Sequence, residues 1–372
     1  MQVIEIIESK QVSLFHSVLH RVYRNDKQFI FPIENDVEAV FDKNKNKSFQ
    51  RGNIRRWVLL DSEGLLAGRI AAFYLQKSKS GKRGGIGFFD CVDNTEYATT
   101  LWDIAEQYLI EERCEWIDAP INFGDRDSFW GLLICSHTPV SYKENYNPPY
   151  YQQWIESRGY SVEIVQNTYE ITNEKFNYKR FRTIADRVMQ KPNYRFVFLD
   201  YGQIETFAKD FVSIYNEAWT FHEDFAPLES IILQKRLNEI KPAMPKEFAV
   251  FAYDNEKPIG FFIAILELNQ VFSRFKGKMG SLQKVQFLLN RKNIDKGKAI
   301  VFGIVPSHQN LGIETGLIMK FHEGVMLSKR IHTLELAWIG DFNPKMISLL
   351  EAVGAQKTKI HHTYRKEIVE GI

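Results

Sequence analysis

Val301-Phe302-Gly303-Ile304-Val305-Pro306-Ser307-His308-Gln309-Asn310-Leu311-Gly312-Ile313-Glu314-Thr315-Gly316 is the stretch on which the fold turns. A β-branched run ends at Pro306, crosses a polar turn containing Gly312, and opens into a helical pattern. From Ile313 onward, Leu317, Ile318, Phe321, Val325 and Met326 recur at near-helical spacing. Such a strand-to-helix turn leaves the first N–H groups of the helix without intrahelical acceptors, at the positive end of its dipole. That arrangement suits an anion, a diphosphate in particular. An ordinary strand–helix connection in an α/β domain has the same pattern, so the flanking segments must decide.

Downstream, Thr333 to Ile339 alternates as a half-buried strand does. Asn343-Pro344 then opens a short amphipathic helix, Met346 to Val353, closed by Gly354. Gln356 to Tyr364 reads as a last strand. Upstream, Tyr194 to Leu199 reads as a strand, with Ile204 to Trp219 and Leu228 to Ile240 as helices. Phe248 to Tyr253 and Ile259 to Leu266 read as strands around a polar turn. From about 190 to 372 the order is therefore β-α-α-β-β-β-α-β-α-β.

The amino-terminal half repeats it. Val3 to Ile7, Trp57 to Leu60, Leu66 to Tyr74, Gly85 to Val92 and Glu115 to Phe123 fall in the strand places, with Val12 to Tyr23 and Glu96 to Glu111 as helices. The phosphate turn is missing: Asp93-Asn94-Thr95-Glu96 has no glycine and two carboxylates, which would repel a diphosphate. A repeat this long means two tandem domains, 1–175 and 190–372, of α/β class with mixed, V-splayed sheets.

The order Val-x-Pro, Gln-x-x-Gly-x-Glu, helix closely resembles the acyl-CoA pyrophosphate loop of the GNAT acyltransferases. Gln309 and Gly312 match it; Glu314 stands where a small residue is usual. The first half's Asn122-Phe123-Gly124, Gly131-Leu132-Leu133 and Tyr146-Asn147-Pro148-Pro149-Tyr150-Tyr151 are similar to a signature of bacterial double-GNAT proteins. So are the second half's Tyr215-Asn216-Glu217-Ala218-Trp219 and Phe225-Ala226-Pro227-Leu228. The resemblance covers nearly the whole chain. It implies two GNAT-like domains, the first without the phosphate loop, and acetyl-CoA or another acyl-CoA as cosubstrate. Ile304, Val305, Gln309, Leu311, Gly312, Ile313, Glu314, Thr315 and Gly316 would hold the cofactor, and Asn343 would face its arm. The family's general-acid tyrosine, seven residues after that asparagine, is Leu350 here.

Composition narrows the classes. At 372 residues and 44% hydrophobic, the chain is long enough for two cores. A formal charge of +2 gives no global field for nucleic acid, which is not an expected partner. No apolar run is long enough to span a bilayer and no secretory signal is present, so no membrane partner is expected. Cys91, Cys114 and Cys135 fit free thiols in a reducing cytoplasm. Their spacing suits no metal site. Cys91 lies in an apolar strand and reads as a core residue. Residues 274–298 concentrate Arg274, Lys276, Lys278, Lys284, Arg291, Lys292, Lys296 and Lys298 against Asp295 alone. Such an insertion either meets an acidic ligand or covers the sheet edge with its apolar face.

Acyl transfer from a thioester to an amine needs a splayed cleft, backbone donors and a base. Glu267 and His308 are the candidate bases and Tyr364 the candidate acid. Tyr215 and Trp219, four apart on a helix, would line the pocket of a small-molecule or peptide amine. Two other readings stay open: a degenerate GNAT-fold protein that binds a metabolite or partner between its domains, and aminoacyl transfer from charged tRNA.

Overall fold

A computed structural model describes residues 1–76, 81–124, 126–219, 229–325 and 330–368. Phe225-Ala226-Pro227-Leu228 and Met326 lie outside the described residues. The first half runs β1 (Gln2–Glu5), α1 (Val12–Val22), α2 (Glu34–Phe41), β2 (Gly52–Leu60), β3 (Leu66–Gln76), β4 (Lys82–Cys91), α3 (Thr95–Glu111), β5 (Trp116–Ala119), β6 (Leu132–Ser136), α4 (Tyr151–Ser157) and β7 (Ser161–Thr172). Helix α5 (Tyr178–Met189) leads into the second half. There follow β8 (Tyr194–Phe198), α6 (Ile204–Trp219), α7 (Ser230–Ile240), β9 (Ala249–Asp254), β10 (Lys257–Leu266), α8 (Asn269–Phe272), α9 (Ser281–Asn290), β11 (Lys296–Ile304), α10 (Ile313–Gly324), β12 (Thr333–Gly340), α11 (Pro344–Val353) and β13 (Gln356–Glu367). The repeated element order is thus present in both halves.

The strands form one mixed sheet in the order β1-β2-β3-β4-β5-β13-β7-β12-β11-β10-β9-β8, with β6 beside β13. The two halves exchange their last strands. β13 pairs with β5 of the first half, Tyr364 opposite Ala119, while β7 pairs with β12 of the second, Leu334 opposite Ile171. Packing follows pairing. Tyr364 is fully buried in the first-half core among Leu101, Trp102 and Tyr151, whereas Tyr169 and Ile171 belong to the second-half core with Leu334 and Val353. Residues 176–189, between the two expected domains, contain α5, whose Phe181, Ala185 and Val188 are buried in the second-half core.

Both halves splay. β4 and β5 run parallel only over Arg83–Gly85 and Trp116–Asp118; β11 and β12 only over Lys296–Ala299 and Thr333–Leu336. Period-two alternation on β12 and β13 sends Glu335 and Lys359, both at 0% exposure, to one covered face. The Lys359 ammonium meets Glu335 at 2.8 Å and Glu144 at 2.6 Å. Glu335 also receives Lys296 at 2.8 Å and the Ser141 hydroxyl at 2.5 Å. Burial and Glu144 push the Glu335 carboxyl up, but Lys359, Lys296 and Lys298 together hold it below the usual range. Burial costs of this size are met only because every ammonium has a carboxylate or carbonyl partner; the Lys298 ammonium donates to Tyr142 O at 2.8 Å.

The basic insertion packs Phe275, Phe287 and Ile294 into the second-half core. Lys296 and Lys298 are drawn into this network and Lys278 pairs with Glu34 of the first half at 2.6 Å. Leu282, Val285, Leu288 and Leu289 of α9 are exposed. Among the described residues, no helix is long and apolar enough to cross a membrane and no cluster of ligating side chains is placed to hold a metal.

Lys359→Met would strand Glu144 and part of Glu335 in the interior. The expected loss is about 3 kcal/mol or more, read as a fall in urea midpoint, with partial recovery in Lys359→Met/Glu144→Gln.

Candidate functional site

The second-half turn keeps the features that an anion site needs. Asn310 and Gly312 both take positive φ, 61° and 86°. Gly312 is the N-cap of α10 and supplies no side-chain cap. Its carbonyl accepts from Thr315 N (3.0 Å), the Thr315 hydroxyl (2.6 Å) and Gly316 N (3.3 Å). Among the described residues, the N–H groups of Gly312, Ile313 and Glu314 find no backbone acceptor. Gln309 and Leu311 are exposed and Glu314 is half-buried in the first turn, while Val305, Ile313, Thr315 and Gly316 are buried beneath.

Only glycine fits at 312. A Cβ there would lie 2.7 Å from Val188 Cγ2 of α5, in a backbone region that L-residues avoid. That contact brings α5 against the start of α10, and α5 carries Lys179, Arg180, Arg182 and Arg187 against one carboxylate, Asp186. Sequence analysis assigned no element to 176–189; the hydrophobic spacing of this helix at Phe181, Ala185 and Val188 was the available signal.

Above Ala299, β11 is paired only with β10. Val305 donates to Ile259 O at 2.9 Å, so strand alternation turns Gly303 the same way and leaves the backbone groups of Phe302 and Ile304 on the open side. The Gln309 amide reaches back to Ile304 O at 3.2 Å. Trp219 lies flat over this strand: a Cβ at Gly303 would sit 2.6 Å from its ring. Tyr215 stacks on Trp219 at 4.8 Å and 14°, extending through Phe211 and Phe261. These two side chains therefore form an aromatic wall beside the splay.

The three candidate catalytic groups are not brought together. Glu267 follows β10 at the closed end of β11, its N–H bonded to Lys296 O. Lys296 to Ile304 is eight residue steps, roughly 26 Å at about 3.3 Å per residue, so Glu267 is far from the turn. Its Oε1 accepts from Tyr142 N and Asn269 N, both at 2.9 Å. Burial, with repulsion from Glu335, raises its carboxyl pKa against the pull of Lys298. His308 turns towards β9, away from the splay, and its Nε2 meets Asp254 Oδ2 at 3.1 Å. Tyr364 sits in the first half, its hydroxyl donating to Glu156 at 3.0 Å. Asn343 caps α11 by accepting from Met346 N at 3.2 Å, and so faces its own helix.

The first-half cleft is built differently. Helix α3 is capped by the Asn94 side chain, which accepts from Tyr97 N at 3.1 Å, and Glu96 lies in its first turn. The open edge of β4 is closed by Tyr151, whose hydroxyl accepts from Cys91 N at 2.5 Å and lies 3.0 Å from Cys91 O. Asn147 clamps β6 in the same way, accepting from Leu133 N at 2.7 Å and donating to Leu133 O at 3.1 Å. The Tyr-Asn-Pro-Pro-Tyr-Tyr segment thus occupies the free backbone groups of Cys91 and Leu133. Cys91 is buried, and burial with Asp90 and Asp93 pushes its thiol up to about 12, as befits a core residue. What remains is a cavity of about 80 Å³ lined by Leu19, Phe88, Asp90, Tyr142, Tyr146 and, from the second half, Asn269. Its carboxylates are partnered: Asp90 with Arg69 at 2.7 Å and the Tyr23 hydroxyl at 2.6 Å, Asp36 with the Tyr142 hydroxyl at 2.6 Å.

No family model matches the chain. Over 318 residues it is 21% identical to Protein YghO of Escherichia coli K12, a match spanning 82% of this chain and 80% of that protein. Over 386 residues it is 20% identical to the bacterial ceramide synthase of Caulobacter vibrioides, spanning 99% and 98%. A tandem GNAT protein from the clavulanic acid biosynthesis pathway superposes with TM-score 0.58 at 9% identity, covering all of both chains. A glucosamine N-acetyltransferase region of a fungal β-N-acetylglucosaminidase gives 0.59 at 10%, over 98% of this chain and 38% of that one. At such identities the likeness is one of fold.

Gly312→Ala is expected to lower stability by about 1–2 kcal/mol through strain at positive φ and the Val188 contact, measured as a reduced Tm.

Proposed function

We propose, from the premise that the chain has the tandem GNAT fold, that it is an acyl-CoA-dependent N-acyltransferase working in its second half. The observation that carries this reading is the turn at Gly312, where unpaired amides open α10 beside a β11 edge that has parted from β12. The diphosphate would sit on the N–H groups of Gly312 to Glu314, against the like charge of Glu314. The pantetheine arm would lie along the open side of Phe302 and Ile304. There the amine lone pair attacks the thioester carbonyl, the C–S bond breaks, and the departing sulfur takes up a proton as the amine sheds one. Because Glu267 and Tyr364 are far from this edge and His308 faces Asp254, proton transfer falls to a group outside that trio.

For the acceptor we propose a long-chain amine. The Caulobacter relative is named a ceramide synthase and matches over nearly its whole length; a ceramide is an N-acylated long-chain amino alcohol. The aromatic wall of Tyr215 and Trp219 suits an alkyl chain better than a charged peptide. The other reading, a binding protein without transfer activity, is favoured by the cavity between the halves at Tyr142 and Asn269. Of the basic insertion behind the tRNA-dependent reading, Lys298 is buried and Lys296 pairs with Glu170 and Glu335, while Arg274, Lys276, Lys284 and Lys292 are exposed.

Calorimetric titration with acetyl-CoA and palmitoyl-CoA separates these. Binding is expected for one or both, abolished in Gly312→Asp and tightened several-fold in Glu314→Ala as a like charge is removed. Release of free CoA on adding sphinganine would complete the case. No binding to either acyl-CoA at millimolar ligand, in wild type or Glu314→Ala, leaves the binding-protein reading.

A further inference from the structure

Acyl transfer gives no role to α9. Of its side chains, Phe287 turns inward and meets Phe272 edge-on at 5.5 Å. Leu282 (64% exposed), Val285 (53%), Leu288 (50%) and Leu289 (65%) point to solvent. The spacing i, i+3, i+7 puts Leu282, Val285 and Leu289 on one face with Leu288 beside them. Single exposed leucines are ordinary, but four large aliphatics on a ten-residue helix make a patch, and patches mark contacts. The charges flanking it in sequence have one sign. Arg274, Lys276, Lys284 and Lys292 are exposed, and residues 274–294 contain no aspartate or glutamate.

We propose that α9 is an interfacial helix that docks on an anionic lipid bilayer. Its aliphatic row would enter the boundary between headgroups and acyl chains while the flanking cations meet lipid phosphates. The chemistry favours lipid over a protein groove. The exposed row holds no tryptophan or tyrosine, the residues on which protein hot spots turn, and no acidic residue sets a register. A ten-residue helix is about 15 Å long, too short to cross a bilayer and suited to lying in its plane. The absence of a spanning segment therefore does not keep this chain from a membrane. The proposal stands apart from the acyl-transfer reading, though docking would place the second half where long-chain amines partition.

Flotation of the full chain with phosphatidylcholine vesicles, with and without phosphatidylglycerol, tests it without any acyl-CoA, so it fails or holds independently of the transfer reaction. Recovery with the anionic vesicles is expected, released by about 0.5 M salt. Leu288→Glu/Leu289→Glu and Lys284→Glu/Lys292→Glu should each weaken it at least about ten-fold. Thermal melts of both variants should match wild type, because the altered side chains are exposed. The proposal is overturned by no flotation of wild type, by equal flotation of folded variants, or by equal recovery with neutral vesicles. A dimer lost in the leucine variant without any vesicle binding would overturn it too, and assign the patch to a protein contact.

Discussion

The ammonium of Lys359, enclosed by Glu335 and Glu144, sits where the two halves trade their last strands, and the architecture depends on that exchange. Without β13 the first-half sheet would end at β5, and Tyr364 would leave its core; without β7 the second half would lose Tyr169 and Ile171. Neither half owns a complete sheet. The charges crossing the exchange on β11, β12, β7 and β13 are satisfied only when those strands lie side by side under the 139–147 segment. A buried network of this kind tolerates no partial assembly, because any missing partner leaves a desolvated charge behind. Folding of the two halves is coupled for that reason.

The same coupling makes the two clefts unequal. Both sheets open where a parallel pair parts, a geometric consequence of twist acting on strands joined over only a few residues. In the first half the opening is filled from within: Asn94 caps α3, Tyr151 takes the backbone of Cys91, and Asn147 holds β6. In the second, Gly312 has no side chain with which to cap α10, and α5 packs Val188 against that turn. One repeat has thus turned its cleft into a support while the other keeps polar backbone available.

The junction also consumes side chains that look catalytic in one dimension. A carboxylate at a strand end and a tyrosine on a terminal strand are reasonable acid–base candidates when strands stay within their own domain. Here the terminal strand leaves, taking Tyr364 to Glu156, and Glu267 becomes an acceptor for the amides of Tyr142 and Asn269 that tie the halves together.

Local patterns were enough to determine many of the elements, though not α2, β6, α4, β7 or α5. The apolar periodicity from Ile313, the Asn343-Pro344 start and Gly354 stop of α11, and the repeated strand pairs around Asp61 and Asn255 report short-range physics: steric preference, capping, and one buried face per element. The same holds for the glycine turn that opens α10 and for the Asn94 cap that opens α3 instead. On β13, period two buries His361 against Asn145 O and leaves its neighbour His362 half-buried. The partners were not legible. Which strand β13 joins, where Glu267 and His308 point, that Val188 would press on Gly312, and that the leucines of α9 would face solvent all depend on contacts between residues far apart in the chain. Pairing of that range is fixed by the total burial and charge satisfaction of the assembled sheet, a property no single stretch of sequence carries.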